Sequence, residues 1–178
     1  MRKISNEELN RLSPEAYRNA EKTPVVLVLD NLRSMHNVGA AFRTADAFAI
    51  ETIHLCGITA QPPHREIHKT ALGATDSVQW HYHEETLSAC QNLQSEGYQL
   101  IAVEQAEPST SLENFDFFKH EKYALIFGNE VFGVSEEVVA LANQCLEIPQ
   151  YGTKHSLNVS VSIGVVLWEC VKQWKSKK

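Results

Sequence analysis

Two rhythms of hydrophobic and polar positions run through this chain. Val25-Val26-Leu27-Val28-Leu29 is an unbroken apolar run rich in β-branched residues, as a strand buried on both faces requires. Shorter runs at 52–56, 78–82, 99–103, 123–127 and 146–148 read the same way. Between them the period lengthens to that of a helix. Asn37 is placed to cap a helix whose inner face carries Val38, Phe42 and Ala45, and residues 65–72 predict a short one. Leu87, Cys90 and Leu93 give residues 86–94 one apolar helical face, with Gly97 as the stop. Another helix starts at Ser135 and runs through Val138, Val139 and Leu141. In the last helix Leu157, Val161, Gly164, Trp168 and Val171 recur at helical spacing and predict one buried stripe. Residues 108–118 have no period and read as irregular. Ahead of all this, residues 5–22 form a helical extension: Ser5 and Glu8 make a capping-box pattern, Leu9, Leu12 and Tyr17 a partial stripe, and Pro14 an interruption.

Strands alternating with helices predict an α/β domain, a mostly parallel sheet with helices on both faces. The expected division is a helical extension over 1–23 and one α/β domain over 24–178. With 178 residues the chain can bury a real core without metal or disulfide support.

Composition narrows the picture only a little. A formal net charge of −6 argues against a general nucleic-acid binder, yet phosphate contacts need basic residues only locally. Arg33, Arg43, Arg65, Lys69 and Lys154 are candidates for such a local cluster. Cys56, Cys90, Cys145 and Cys170 lack CxxC spacing and read as reduced thiols of a cytoplasmic protein. His64/His68 and His81/His83 have no further ligands nearby of the kind zinc needs, so no metal is expected. No apolar run approaches the ~20 residues that span a bilayer, so no membrane association is expected either.

The candidate chemistry sits at strand ends. The 123–127 run leads straight into Gly128-Asn129-Glu130, with Gly133 close behind. In parallel sheets ligands gather beyond the C-terminal strand ends, and a glycine there lets backbone approach a ligand. Glu130 is placed to pair with a cation, or with Arg43 across a site. Pro149 stops the 146–148 run, and a polar loop leads to Ser156 and Asn158 at the mouth of the last helix. Free N–H groups at such a junction can hold a ligand's polar edge, although an ordinary capped connection looks the same. Arg43 is permanently charged, and its fork of donors suits phosphate or ribose oxygens. GxGxxG, Walker and GxSxG patterns are absent, which removes the commonest dinucleotide, NTPase and hydrolase readings.

Three segments taken together say more. Asn37-Val38-Gly39-Ala40-Ala41-Phe42-Arg43-Thr44-Ala45, then residues 125–135, then residues 148–161 resemble, in order, the three signature motifs of the SpoU/TrmH branch of the SPOUT methyltransferases. The resemblance covers about residues 25–169. It implies an S-adenosylmethionine-dependent enzyme that methylates a ribose 2′-hydroxyl of tRNA or, second in order, rRNA. It also implies a C-terminal trefoil knot and a homodimer that shares its active sites. Arg43 would then help activate the hydroxyl, with Asn37 positioning nearby, while Glu130, Ser156 and Asn158 shape the pocket. Cofactor contacts are implied at Gly128, Asn129, Ile148, Pro149 and Leu157. A further one falls at Val103, or at Glu104 if the register shifts by one, where the family usually has a small polar residue. Residues 69–74 resemble a segment at the RNA-facing rim, and the basic residues near the motif blocks, Arg33, Arg65, Lys69 and Lys154, are the expected RNA contacts. Two other readings stay open. One is an RNA-binding module of the same fold without catalysis, against which Arg43, Glu130, Ser156 and Asn158 count together. The other is methylation of a base nitrogen, which Asn37 with Arg43 fits less well.

Overall fold

The structure is a computed structural model and describes residues 1–5 and 7–176. In chain order its strands are β1 Thr23–Asp30, β2 Ile50–Cys56, β3 Gln79–His83, β4 Gln99–Val103, β5 Thr110–Ser111, β6 Tyr123–Phe127 and β7 Gln144–Glu147. They form one parallel sheet in the spatial order β3-β2-β1-β6-β4-β7-β5. The helices are α1 Pro14–Asn19, α2 Met35–Ala47, α3 Arg65–Ala71, α4 Thr86–Ser95, α5 Glu136–Leu141 and α6 Val159–Ser176.

The unbroken apolar run of β1 has a direct cause. Its alternate residues enter two separate cores. Val25, Leu27 and Leu29 pack with Val38 and Phe42 of α2, Ile67 of α3, and Ile163 and Leu167 of α6. Val26 and Val28 pack with Ala89, Cys90 and Leu93 of α4 and Val138 of α5. A strand covered on both faces by helices gains nothing from a polar alternate position. The expected α/β arrangement is therefore the one found.

Several boundaries differ from the sequence reading, each for a local reason. Ser34, not Asn37, caps α2: its hydroxyl accepts from the Asn37 N–H at 3.3 Å, which leaves the Asn37 side chain free for other work. Pro14 does not interrupt a helix but starts one, behind a Ser13 cap that accepts from Ala16 N–H at 3.2 Å. The Ser5–Glu8 capping box does form, with the Ser5 N–H donating to Glu8 at 2.8 Å and the Glu8 N–H to Ser5 at 3.4 Å, but it closes only a single 3₁₀ turn. β5 was not anticipated, because two residues are too short to show a period.

The stripe expected to be buried on α6 is the larger correction. Of its members Val171 faces the core, with Ile163, Val166, Leu167 and Cys170, whereas Val161 and Trp168 are 49 and 61 % exposed, the neighbouring Val165 is 37 % exposed, and Leu157 lies ahead of the helix. α6 is apolar on more than one side, so periodicity alone could not tell which side meets the sheet. Among the described residues no helix is long and apolar enough to cross a membrane.

Gly39 fixes how α2 meets α3. A Cβ there would lie 2.1 Å from Thr70 Oγ1 and 2.3 Å from the Ile67 carbonyl oxygen. Only glycine lets the two helices approach this closely, and Thr70 uses the proximity to donate to the His36 carbonyl at 3.0 Å.

Candidate functional site

β1 ends in a buried carboxylate. Asp30 is 1 % exposed and accepts from Asn31 Nδ2 at 2.8 Å, the Thr86 hydroxyl at 2.5 Å and the Ser135 N–H at 2.8 Å. It thus ties the loop after β1, the start of α4 and the start of α5 to one point. Asn129, at the end of β6, does similar work. Its Nδ2 donates to the Asn31 carbonyl at 2.7 Å, and its Oδ1 accepts from the Val131 and Phe132 N–H groups at 2.9 and 3.2 Å. The 129–133 turn closes through paired backbone bonds between Asn129 and Gly133, both 2.9 Å. Gly128 passes directly beneath this turn: a Cβ on it would meet the Gly133 carbonyl carbon at 2.0 Å and the Val134 nitrogen at 2.1 Å. Gly128 is glycine because backbone packs on backbone, and Gly133 because its φ is +70° and the Glu104 carboxylate lies 2.1 Å from where a Cβ would stand.

Between these strand ends and the N-terminus of α6 lies a cavity of about 500 Å³. Phe127, Leu146, Ile148 and Leu157 give it apolar wall, while Glu104, Gln105, Ser156 and Asn158 give it polar edge. Glu104 is held by the Val134 N–H at 2.9 Å, and Gln105 ties down the 149–158 loop by donating to the His155 carbonyl at 2.7 Å. The volume and mixed lining are those of a small-molecule site.

At one edge of the cavity three side chains form a directed chain. Asn158 Nδ2 donates to Asn37 Oδ1 at 3.3 Å, and Asn37 Nδ2 donates to Glu130 Oε1 at 2.9 Å. The far end is fixed by Ser160, whose N–H and hydroxyl donate to Asn158 Oδ1 at 2.9 and 2.6 Å. The near end is fixed by the Arg33 and Ser34 N–H groups, which donate to Glu130 at 2.9 and 3.0 Å. Each amide therefore has one allowed orientation. Burial pushes the Glu130 carboxyl up, but the donors from Arg33, Asn37 and Ser34 outweigh it and hold the group below the usual carboxylate range.

The sequence-derived candidates divide cleanly. Val103, Gly128, Asn129, Glu130, Ile148, Ser156, Leu157 and Asn158 line the cavity, and Asn37 joins through its hydrogen bonds. Pro149 is not part of the lining, although its neighbours Ile148 and Gln150 are. Arg33, Arg43, Arg65, Lys69 and Lys154 lie outside it and are exposed. The pairing of Glu130 with Arg43 does not occur: Glu130 is occupied by Asn37 and the loop N–H groups, and Arg43 makes no hydrogen bond or ion pair among the described residues. Lys69 is engaged with Glu66 at 2.7 Å. At the β4 end both register alternatives reach the cavity, Val103 and Glu104 alike.

Asp30 escaped the sequence reading, as did Gln105. A lone carboxylate closing a five-residue apolar run is a signal for the first; nothing in the pattern marks the second. Among the described residues no group of three or more His, Cys, Asp and Glu side chains is placed to hold a metal ion.

Comparison with known proteins places this geometry. The chain is 31 % identical over 166 residues to the tRNA (guanosine(18)-2′-O)-methyltransferase of Thermus thermophilus, covering 93 % of this chain and 84 % of that one. Its fold is similar to the TrmH/SpoU tRNA modifying enzyme of A. aeolicus, with a TM-score of 0.81 and 25 % identity over 92 % of this chain and 83 % of the other. It is also similar to an AdoMet-bound rRNA methyltransferase from Sinorhizobium meliloti, with a TM-score of 0.79 and 27 % identity over 91 % of this chain and 61 % of that one. The SpoU rRNA methylase family model matches residues 24–168, which take in β1, the cavity and the Asn158–Asn37–Glu130 chain, and the protein belongs to that family.

Proposed function

We propose that the protein transfers a methyl group from S-adenosylmethionine to a ribose 2′-hydroxyl of RNA, with tRNA as the substrate. The observation that carries this reading is the fixed Asn158–Asn37–Glu130 chain at the edge of a cofactor-sized cavity. Family membership and the tRNA-modifying relative supply the rest. The cavity suits S-adenosylmethionine on its own terms. Ile148, Leu157 and Phe127 offer apolar surface for an adenine ring, and the carboxylate of Glu104 offers an acceptor for hydroxyl or ammonium donors. Bound there, the cofactor would supply an electrophilic methyl group on a sulfonium.

The chain's own residues would handle the nucleophile. An arginine is a poor general base because it stays protonated at every working pH. Arg43 acts instead by placing a fixed positive charge beside the 2′-hydroxyl, which lowers its pKa while an RNA phosphate or water takes the proton. Asn37 and Asn158 hold the ribose with oriented amides, and Ser156 adds a hydroxyl at the rim. Glu130 is a positioning residue: it reaches substrate only through Asn37. Arg33, Arg65, Lys69 and Lys154 meet the RNA backbone on this reading. On this reading the protein works in the cytoplasm.

Arg43 stands about two helical turns from Asn37 and outside its own cavity. A homodimer explains this, since a partner's α2 could bring the missing cation. The exposed apolar face of α6 supports it. Val161, Val165 and Trp168 form a surface that a monomer leaves wet, and Trp168 lies 6.3 Å (ring centroids) from Phe48 at the end of α2. A dimer built on this face places α2 of each protomer at the seam. The C-terminal trefoil knot and the division at residue 24 belong to the same proposal, with residues 1–23 as a packing arm whose Tyr17 donates to the Ala45 carbonyl at 3.3 Å.

The test is transfer of a labelled methyl group to an unmodified tRNA transcript. Wild-type protein is expected to label it. Arg43→Ala is expected to bind S-adenosylmethionine unchanged yet lose at least about 100-fold in kcat, the scale of losing one transition-state charge partner. Cofactor binding with no transfer to tRNA or rRNA by wild type would favour the RNA-binding module instead.

A further inference from the structure

A second cavity, of about 490 Å³, lies between α3 and β3 and shares no lining residue with the first. Its wall is the half-buried ring of Trp80 with Pro62 and Pro63; Arg65, His68 and Asp76 stand around it. We propose that this cavity binds one unpaired nucleotide of the substrate RNA, away from the methylated ribose. The inference rests on the RNA-methylating reading above and extends it to a specific contact.

Three observations point to a nucleotide. Trp80 offers a flat aromatic face, which every base can stack on. Arg65 is exposed and makes no hydrogen bond or ion pair among the described residues, so its donor fork is available to a phosphate. Asp76 supplies an exposed carboxylate that can accept from a base N–H, and its position is held by Arg18, which donates to the Asp76 carbonyl at 3.4 Å. A bare phosphate would have no use for the tryptophan, and an apolar ligand none for the arginine and aspartate.

The location argues for RNA rather than a free nucleotide. α3 connects the two cavities physically: Glu66, next to Arg65, binds His36 at 3.0 Å, and His36 precedes Asn37. The close packing at Gly39 makes α2 and α3 one rigid unit. A strand that presents its ribose at Asn37 therefore meets α3 next, and a flipped-out neighbour has Trp80 to stack on.

The test uses steady-state kinetics on a tRNA that the wild-type protein methylates. Trp80 also packs against the core, so Trp80→Leu keeps apolar bulk there while removing the π face, and Arg65→Ala removes an exposed charge without touching the core. Trp80→Leu is expected to raise the tRNA KM roughly 5- to 150-fold, the range of one lost base stack, with kcat and cofactor affinity held. Trp80→Phe should restore most of the loss, which a merely structural role would not require. Arg65→Ala should raise KM and reduce the salt dependence of binding by about one phosphate contact. A KM within twofold of wild type in both Trp80→Leu and Arg65→Ala overturns the inference and leaves the methyltransferase reading intact. Absence of methyl transfer by wild type to any RNA removes that reading itself, and this one with it, before any variant is compared.

Discussion

Glu130 illustrates how much of the site rests on single hydrogen bonds. Its two oxygens take donors from Arg33, Ser34 and Asn37, so Glu130→Gln puts an amide N–H₂ where one of those donors now points. The substitution is expected to cost about 1–3 kcal/mol locally, as a broken hydrogen bond to a charged group does. It should also lower kcat while leaving S-adenosylmethionine affinity nearly unchanged, measured by calorimetric titration beside single-turnover transfer. Because the carboxyl is held below its usual range, its contribution is present above the unfolded pKa and fades as pH falls through the folded one. The residues that line the cavity were marked in the sequence by their place beside glycines and strand ends, and Asn37 and Arg43 by the resemblance of their motif. Their partners were not. Asn37 read as a cap because caps and binding asparagines share one signature, and only the Ser34 hydroxyl, already capping α2, shows that its amide is free to reach Asn158.

At the scale of elements the glycines carry the clearest predictions. Gly128→Ala drives a Cβ into the backbone of the 129–134 turn, with no flexible side chain to yield. It is expected to lose cofactor binding and about 1–3 kcal/mol or more of stability, read by thermal unfolding with and without S-adenosylmethionine. α6 supplies the second. Trp168→Glu puts a charge on a face that is exposed in the protomer, so the protomer should fold, while the proposed dimer should come apart in analytical ultracentrifugation with activity lost alongside. A variant that stays dimeric and active would show that this face is not the interface. The sheet was readable almost strand by strand, because a buried parallel strand leaves an apolar run that few other structures imitate. The orientation of α6 was not. That helix is apolar on two sides, one packed on the sheet and one exposed, and a periodicity argument assumes only one.

At the scale of the whole molecule, the His54–His83 pair is a pH-sensitive feature away from the site. His54 on β2 is buried, with Nδ1 2.8 Å from Nε2 of His83 and rings 5.1 Å apart. Burial, then the neighbouring His83 and His81, lower its pKa to about 4. The unfolded chain thus binds this proton near pH 6.5 and the folded one only near 4, so stability is expected to fall as pH drops between those values, by roughly 3 kcal/mol at the lower end. Urea unfolding at pH 7.5 and 5 checks this, and His54→Gln should flatten the difference. The fold, the cavity and the family agree on one activity, and its chemistry is distinguished from base methylation by where the methyl group ends up. The most direct measurement is therefore mass spectrometry of nucleosides from tRNA incubated with protein and S-adenosylmethionine carrying a labelled methyl group. Label in a 2′-O-methylnucleoside, absent with Arg43→Ala, is the predicted result. Label on a base, or none in any RNA while the cofactor binds, would contradict the account.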